Sequence, residues 1–277
     1  MRISYVNGSY LPHEQAFVHI DDRGTDFADG VYEVIAYANR KLVDYAPHME
    51  RLKNSLKLMQ INLHISFDDL DKIISEIIKR NEFENGLIYL RITRGVSDRY
   101  HPFPIGVNPS VVVTTKFWKR PSEADYSNGV SVITFPEIRW AWRHIKSIAL
   151  LPNVIAKQKS MEANTKEAWF VEKDGTVTEA SSSNVFIVKD GVIITHPESE
   201  SILGGVTRKT LLKMASENGI RVEERKFTIS EAFSADEAFM SSTSMGAIAV
   251  NKIDDKPIKT GHIAQKLHKL YDEYAGI

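Results

Sequence analysis

Three turn dipeptides, Asn7-Gly8, Asp174-Gly175 and Asp190-Gly191, mark places where the chain must reverse its direction. Each lies between two runs rich in apolar and β-branched residues. Asn-Gly and Asp-Gly supply the positive φ angles of tight hairpin turns, so each dipeptide predicts a pair of adjacent antiparallel strands. We therefore expect sheet near the N-terminus and again in the second half of the chain.

Two helices are predicted where apolar residues recur at helical spacing, in 48–60 and in 67–80. This spacing places the apolar side chains on one face of each helix. Strands are predicted at 31–37, 86–93 and 110–115, where β-branched and aromatic residues concentrate. We expect the two helices to cover one face of the sheet that these strands form.

The length of 277 residues is sufficient for two domains of ordinary size. The polar segment 120–129 has a proline near its start and a glycine at its end, which is typical of a boundary. We predict an N-terminal domain at 1–119, a linker at 120–129 and a C-terminal domain at 130–277.

Charge and composition limit the chemistry that this chain can perform. A formal net charge of -1 gives no electrostatic reason to expect a nucleic acid or a membrane surface as a partner. The absence of cysteine excludes disulfides and thiolate nucleophiles. The nine histidines are scattered singly, so no metal site is predicted. We expect small-molecule substrates and, because no signal peptide is visible, a cytoplasmic location.

Lys146 lies between a predicted strand, 130–135, and a predicted helix that begins just after it. Leu151, Val154 and Ile155 are spaced for one buried face of that helix. A strand-to-helix junction fixes the backbone and leaves the side chain free to enter a cleft, which suits a lysine that forms Schiff bases. A solvated surface lysine is the alternative interpretation.

A cationic loop follows the strand at 86–93. It carries Arg99 and His101 and is stiffened by two prolines. Arginine offers a planar fork of donors, so such a loop is suited to gripping a carboxylate. Tyr32, at the start of the strand 31–37, is placed to line the mouth of a pocket. A solvated loop and an ordinary half-buried tyrosine are the alternatives.

Three further stretches are rich in groups that bind anions or cofactors. Gly204-Gly205 precedes a predicted helix that opens with Val206 and Thr207, and free amides at a helix start attract anions. The helix end alone is weak toward a phosphate, so a second donor such as Arg51 is expected. Glu179 is followed by a run of serines, and Thr243 lies in a hydroxyl-rich turn.

Several ordered motifs together give the chain a family resemblance. It resembles the fold type IV pyridoxal-phosphate transaminases, most closely the D-amino acid (D-alanine) transaminases, over nearly its full length. The matching runs are Asp22–Gly24 with Phe27–Glu33, His48–Leu52, Tyr89–Gly95, Arg139-Trp140 with Ile145–Ser147, Val177–Phe186 and Ile202–Arg208. The resemblance implies an α+β, two-domain fold with a small N-terminal α/β domain and a larger C-terminal sheet or barrel-like domain.

The resemblance also implies a role for each candidate residue toward pyridoxal 5'-phosphate. Lys146 forms the internal aldimine and moves the substrate proton, and Glu179 pairs with the pyridine nitrogen. The remaining cofactor contacts are expected from the amides of Val206 and Thr207, from Arg51 and Thr243, and from Ser182 and Leu203.

At the substrate end, the resemblance assigns the carboxylate to a trap made by Tyr32, Arg99 and His101. The resemblance therefore implies transamination of D-amino acids with a 2-oxo acid acceptor such as 2-oxoglutarate, in a homodimer. Trp142–His144 and Met245-Gly246 depart from the family pattern, which leaves the substrate range open. The alternatives are an L-branched-chain transaminase, an aminodeoxychorismate lyase and a noncatalytic anion-binding homologue.

Overall fold

The computed structural model describes all residues from 1 to 277 and divides the chain into two compact units. The N-terminal unit comprises Met1–Lys119 and Ile145–Ala149, and the C-terminal unit comprises Arg120–His144 and Leu150–Ile277. The predicted division differs in one respect that concerns function. The short segment around Lys146 belongs to the N-terminal unit, because it pairs with a strand there.

The N-terminal unit is a six-stranded antiparallel sheet with strand order β2-β1-β6-β5-β3-β4. Its elements are β1 (Ile3–Val6), β2 (Ser9–Pro12), α1 (Arg23–Phe27), β3 (Gly30–Ala38), β4 (Lys41–Leu42), α2 (Tyr45–Leu58), α3 (Phe67–Arg80), β5 (Gly86–Thr93) and β6 (Ser110–Phe117), with a 3-10 turn at His13–Gln15. The predicted hairpin at Asn7-Gly8 is confirmed as β1–β2.

Helices α2 and α3 bury their apolar faces in the core of this unit, as predicted. Leu70, Ile74 and Ile77 of α3 are fully buried, and Leu52 of α2 is buried in the same cluster. The side chain of Ser66 caps α3 by accepting a hydrogen bond from Asp69 N, which satisfies one amide of the first turn. These helices support the strands from which the candidate site residues project.

The C-terminal unit is a nine-stranded mixed sheet with strand order β12-β11-β10-β13-β14-β7-β8-β9, and β15 pairs with β14. Its strands are β7 (Val130–Pro136), β8 (Glu167–Val171), β9 (Val177–Ala180), β10 (Asn184–Lys189), β11 (Val192–Thr195), β12 (Val222–Glu224), β13 (Glu237–Ser242), β14 (Gly246–Ile253) and β15 (Lys256–Pro257). Its helices are α4 (Glu123–Asn128), α5 (Leu151–Glu162), α6 (Val206–Glu217), α7 (Ile229–Phe233) and α8 (His262–Ala275). The hairpins predicted at Asp174-Gly175 and Asp190-Gly191 are confirmed.

Two expectations for this unit are wrong. The segment 120–129 is not a linker, because it forms α4, which a Ser122–Asp125 capping box stabilises. The apolar residues of α5 do not form a buried face, since Leu151 is 69% exposed and Val154 is 59% exposed. Helical spacing showed where the helix is, and it could not show which surface the helix packs against.

No helix of the chain is both long and apolar enough to cross a membrane.

Candidate active site

Lys146 is fixed by backbone pairing with the first residues of β3. Tyr32 N donates to the carbonyl of Lys146 at 3.0 Å, and Ile148 N donates to the carbonyl of Gly30 at 3.0 Å. Ser147 forms an isolated antiparallel bridge with Val31 between these two bonds. The predicted lysine is therefore held against a strand whose position the core of the N-terminal unit sets.

This pairing brings Lys146 together with Tyr32. The Nζ atom of Lys146 donates to the Tyr32 hydroxyl at 3.4 Å and lies 4.4 Å from the centre of the tyrosine ring. Both side chains are half-buried. A potential nucleophile and a hydroxyl donor thus share one partly enclosed location.

Arg51 lies on α2, where a buried carboxylate holds its guanidinium. Its Nε and Nη2 atoms donate to the two oxygens of Glu33 at 2.8 and 2.7 Å, and His48 Nδ1 lies 2.8 Å from Glu33 Oε2. Burial alone would raise the pKa of Glu33, but Arg51 and His48 outweigh burial and lower it to about 2. Glu33 is therefore ionised and keeps the plane of the Arg51 fork in one orientation.

Arg99 and His101 lie in the β5–β6 loop, residues 94–109, where both contact α1. Arg99 Nε is 3.8 Å from Asp26 Oδ1, and Arg99 is 67% exposed. The His101 ring lies 5.3 Å from the Phe27 ring. Within the chain, these contacts do not bring Arg99 or His101 together with Lys146 and Tyr32.

In the C-terminal unit, Glu179 on β9 is buried among polar partners. Arg139 Nη1 donates to Glu179 Oε1 in a short contact, while Asn184 Nδ2 and Leu203 N each donate to Oε2 at 3.2 Å. Arg139 also binds Glu137, at 2.5 Å from Nη2 to Oε2. Burial raises the pKa of Glu179, and Arg139 opposes that rise. Glu179 is thus a well-anchored carboxylate with an increased affinity for a proton.

The start of α6 has the properties of an anion site. The N-cap residue Gly205 provides no side-chain cap, and the hydroxyl of Thr207 is buried without a hydrogen-bond partner. A Cβ atom on Gly205 would collide with the Asn184 amide, so only glycine lets the chain pass this close. First-turn amides and one unpaired hydroxyl fit a phosphate group.

The other predicted cofactor residues have different surroundings. Thr243 lies half-buried in the turn between β13 and β14. Ser182 is exposed, and its hydroxyl donates to the buried carboxylate of Glu167 in a short hydrogen bond. Leu203 contributes backbone, since its carbonyl accepts a 2.9 Å bond from Asn184 Nδ2.

Arg139, Asn184 and Glu33 had no predicted role. All three orient a predicted site residue, through the contacts with Glu179 and Arg51 described above. Each lies inside a run that carries the family resemblance, which was the available signal. What the sequence could not supply was the partner that each side chain meets.

A family model for class IV aminotransferases matches residues 30–253. The chain belongs to the class IV aminotransferase family. It is 39% identical over 274 residues to a D-alanine aminotransferase of Staphylococcus aureus, covering 98% of this chain and 96% of the relative. It is 40% identical over 255 residues to a D-alanine aminotransferase of Bacillus licheniformis, covering 92% and 89%.

Solved structures agree with this class IV aminotransferase assignment. A branched-chain aminotransferase of the archaeon Thermoproteus uzoniensis superposes with a TM-score of 0.89 at 25% identity, covering 99% of this chain and 95% of that one. A hypothetical aminotransferase of Mycobacterium tuberculosis in its PLP-bound form gives 0.86 at 21% identity, covering 99% and 98%. The predicted family and the α+β fold type IV architecture are confirmed. Class IV aminotransferases use pyridoxal phosphate, so family membership also confirms the predicted cofactor.

Proposed function

We propose that this class IV aminotransferase transfers the amino group of D-amino acids, with D-alanine as the type substrate, to a 2-oxo acid such as 2-oxoglutarate. The observation that carries the proposal is the 3.4 Å approach of Lys146 Nζ to the Tyr32 hydroxyl, which joins the expected nucleophile to the expected substrate trap. Relatives named D-alanine aminotransferase at 38% to 40% identity support the same substrate class.

Bound pyridoxal phosphate supplies an aldehyde that captures the substrate amine and a ring that takes up the electrons of the Cα–H bond. Lys146 holds the cofactor before the substrate arrives. Its amine would be the group that accepts and returns the proton at the substrate Cα. Backbone pairing with β3 fixes the main chain that carries this amine.

Glu179 binds the pyridine nitrogen in this proposal. The negative charge of the ionised carboxylate favours the protonated form of that nitrogen, which makes the ring a better acceptor of electrons. Arg139, Asn184 and Leu203 N fix the carboxylate, so that little reorganisation is needed during the reaction.

The phosphate is assigned to the amides of Val206 and Thr207 and to the unpaired Thr207 hydroxyl. Arg51 and the Thr243 hydroxyl are further proposed donors, and the bond with Glu33 pre-orients Arg51. Ser182 and Leu203 stay proposed cofactor contacts on the strength of the family resemblance.

The substrate carboxylate is assigned to Tyr32, Arg99 and His101. When the carboxylate is fixed at that end, the Cα–H bond of a D-amino acid is the one presented to Lys146.

We also propose a homodimer, and the exposed apolar residues Leu151 and Val154 on α5 support an interface there. Light scattering on the purified protein tests the dimer. The cytoplasmic location stays a prediction.

The proposal is tested by the formation of pyruvate from D-alanine and 2-oxoglutarate with purified holoenzyme. We expect turnover with D-alanine, and a loss of at least about 1,000-fold in Lys146→Ala. Turnover of L-alanine or L-leucine, with none of D-alanine, would contradict the proposal.

An L-branched-chain transaminase is the second candidate. The observation in its favour is the match to the branched-chain enzyme of Thermoproteus uzoniensis, at 25% identity over 99% of this chain. Arg99→Ala separates the two candidates. If Arg99 binds the carboxylate of D-alanine, this change raises KM for D-alanine and leaves cofactor affinity intact.

A further inference from the structure

We propose that Arg23 is a positioning residue for the β5–β6 loop and thereby sets the affinity of the enzyme for the substrate carboxylate. This inference rests on the proposed function, because it takes Arg99 and His101 as the carboxylate trap. Arg23 itself touches neither cofactor nor substrate in this account. It acts through the main chain of the residues that do.

Arg23 is a buried cation whose donors point at the loop. Its Nη1 atom donates to the carbonyl of Tyr100 at 2.6 Å, and its Nη2 atom donates to the carbonyl of His101 at 3.2 Å. The residue is only 3% exposed, whereas Arg99 is 67% exposed. A rigid, water-shielded fork therefore holds two consecutive peptide groups directly after Arg99.

Asp29 fixes the orientation of Arg23. Its Oδ2 atom accepts from Arg23 Nε at 2.9 Å and from Arg94 Nε at 2.8 Å, so one carboxylate joins two buried arginines. Arg94 in turn donates to the carbonyls of Met59 at 2.7 Å and Gln60 at 2.9 Å. The cluster of Arg23, Asp29 and Arg94 thus connects the loop to the end of α2.

The base of the loop is held by the same part of the chain. Arg23 N donates to the carbonyl of Gly95 at 2.9 Å, and Thr93 Oγ1 donates to Asp22 Oδ2 at 2.9 Å. A Cβ atom on Gly24 would collide with the Thr93 side chain, so the residue after Arg23 must be small. Residues 22–24 therefore contact the loop at its N-terminal end as well as at Tyr100 and His101.

Asp29 also links the loop to Tyr32, because it directly precedes Gly30, the first residue of β3. The carboxylate that holds Arg23 is therefore itself held at the start of β3. The ion pair between the loop and α1 is weaker, since Arg99 Nε lies 3.8 Å from Asp26 Oδ1 and the Arg99 side chain is 67% exposed. The main-chain bonds from Arg23 are the stronger determinant of where Arg99 and His101 lie.

A purely structural role for Arg23 makes a different prediction from a positioning role. A structural arginine, when removed, lowers stability, cofactor binding and turnover together. A positioning arginine raises KM and leaves kcat and cofactor affinity nearly unchanged, because chemistry at Lys146 continues once the substrate is bound. Asp29 retains two bonds from Arg94 after Arg23 is removed, so the variant does not leave an unpaired buried carboxylate.

The experiment compares wild type, Arg23→Ala and Arg23→Lys as holoenzymes. We expect KM for D-alanine to rise at least about tenfold in Arg23→Ala, with kcat within about threefold and cofactor affinity unchanged. Arg23→Lys keeps a cation beside Asp29 but lacks the two-pronged fork, so an intermediate KM is expected. It decides the question if the alanine variant does not fold.

Arg40→Ala is the matched control, because it also removes a bond from an arginine to a main-chain carbonyl, that of Asn81, away from the loop. Its KM should equal that of wild type. An unchanged KM in folded Arg23 variants, or a joint fall of kcat, cofactor affinity and melting temperature, overturns the inference. If wild type itself does not convert D-alanine, the proposed function fails. This outcome is distinct from a failure of the Arg23 inference, which requires an active wild type and an unchanged KM in the variants.

Discussion

The amine of Lys146 donates to the hydroxyl of Tyr32 at 3.4 Å, although the two residues lie 114 positions apart in the chain. Backbone bonds between Ile145–Ala149 and the start of β3 make this contact possible. The tyrosine is therefore fixed relative to the lysine by main chain and does not depend on a flexible side-chain contact.

Tyr32→Phe tests what this hydroxyl does. The change keeps the ring beside Lys146 and removes one donor to the substrate carboxylate. A hydrogen bond to a charged group contributes about 1.5–3 kcal/mol, so KM for D-alanine should rise about tenfold or more. Steady-state kinetics provide the measurement, and retention of the cofactor absorption spectrum is the control. An unchanged KM would exclude Tyr32 from the trap.

Glu179→Gln should retain the cofactor and slow proton transfer. The amide cannot keep the pyridine nitrogen protonated, and it also loses the ion pair with Arg139. We expect the single-turnover rate with D-alanine to fall by at least about 100-fold. Stopped-flow absorbance measures this rate. A variant with the wild-type rate would show that Glu179 has no part in stabilising the developing negative charge.

Thr207→Val should weaken cofactor binding without weakening the fold. The buried Thr207 hydroxyl has no partner within the protein, so its replacement by a methyl group of similar size breaks no internal hydrogen bond. We expect the dissociation constant for pyridoxal phosphate to rise about tenfold, from the loss of one charge-assisted bond. Ser216→Ala, at the exposed far end of α6, is the control and should bind the cofactor as wild type does.

The ion pair of Glu33 and Arg51 should make stability depend on pH. The folded-state pKa of Glu33 is about 2, below its ordinary value of 4.5. The unfolded chain therefore binds this proton first, so the contribution is present above the ordinary pKa and is lost as the pH falls toward 2. The shift corresponds to about 3 kcal/mol of stability at neutral pH.

Urea denaturation of wild type and Glu33→Gln across this acidic range measures that contribution. Arg51 and His48 remain in both proteins, so the difference between them reports the carboxylate together with its effect on these two neighbours. Wild type should be the more stable protein at pH 7, and the difference should shrink on acidification. A difference that stays constant with pH would mean that Glu33 does not titrate as described.

The sequence predicted the local elements well because their signals are local. The α3 helix was predicted at residues 67–80, and the structure has Phe67–Arg80. Ser66 caps its first turn, and apolar residues recur at regular spacing along it. The hairpin turns at 7–8, 174–175 and 190–191 needed only the φ preferences of Asn-Gly and Asp-Gly.

The partners of the site residues could not be predicted in the same way. Glu179 was identified from its motif, but Arg139, 40 positions away, meets it only after the sheet has formed. The α5 helix was predicted with a buried apolar face, yet Leu151 and Val154 are exposed. The spacing of apolar residues identifies a helix and its apolar face. Whether that face is buried depends on the elements that pack against it.

The most direct test of D-amino acid transamination is a single-turnover absorbance measurement on the holoenzyme. D-alanine and L-leucine are mixed with it in separate experiments, without a 2-oxo acid. We expect D-alanine to replace the spectrum of lysine-bound cofactor with that of pyridoxamine phosphate, and L-leucine to leave it unchanged. Conversion by L-leucine, with none by D-alanine, would contradict it.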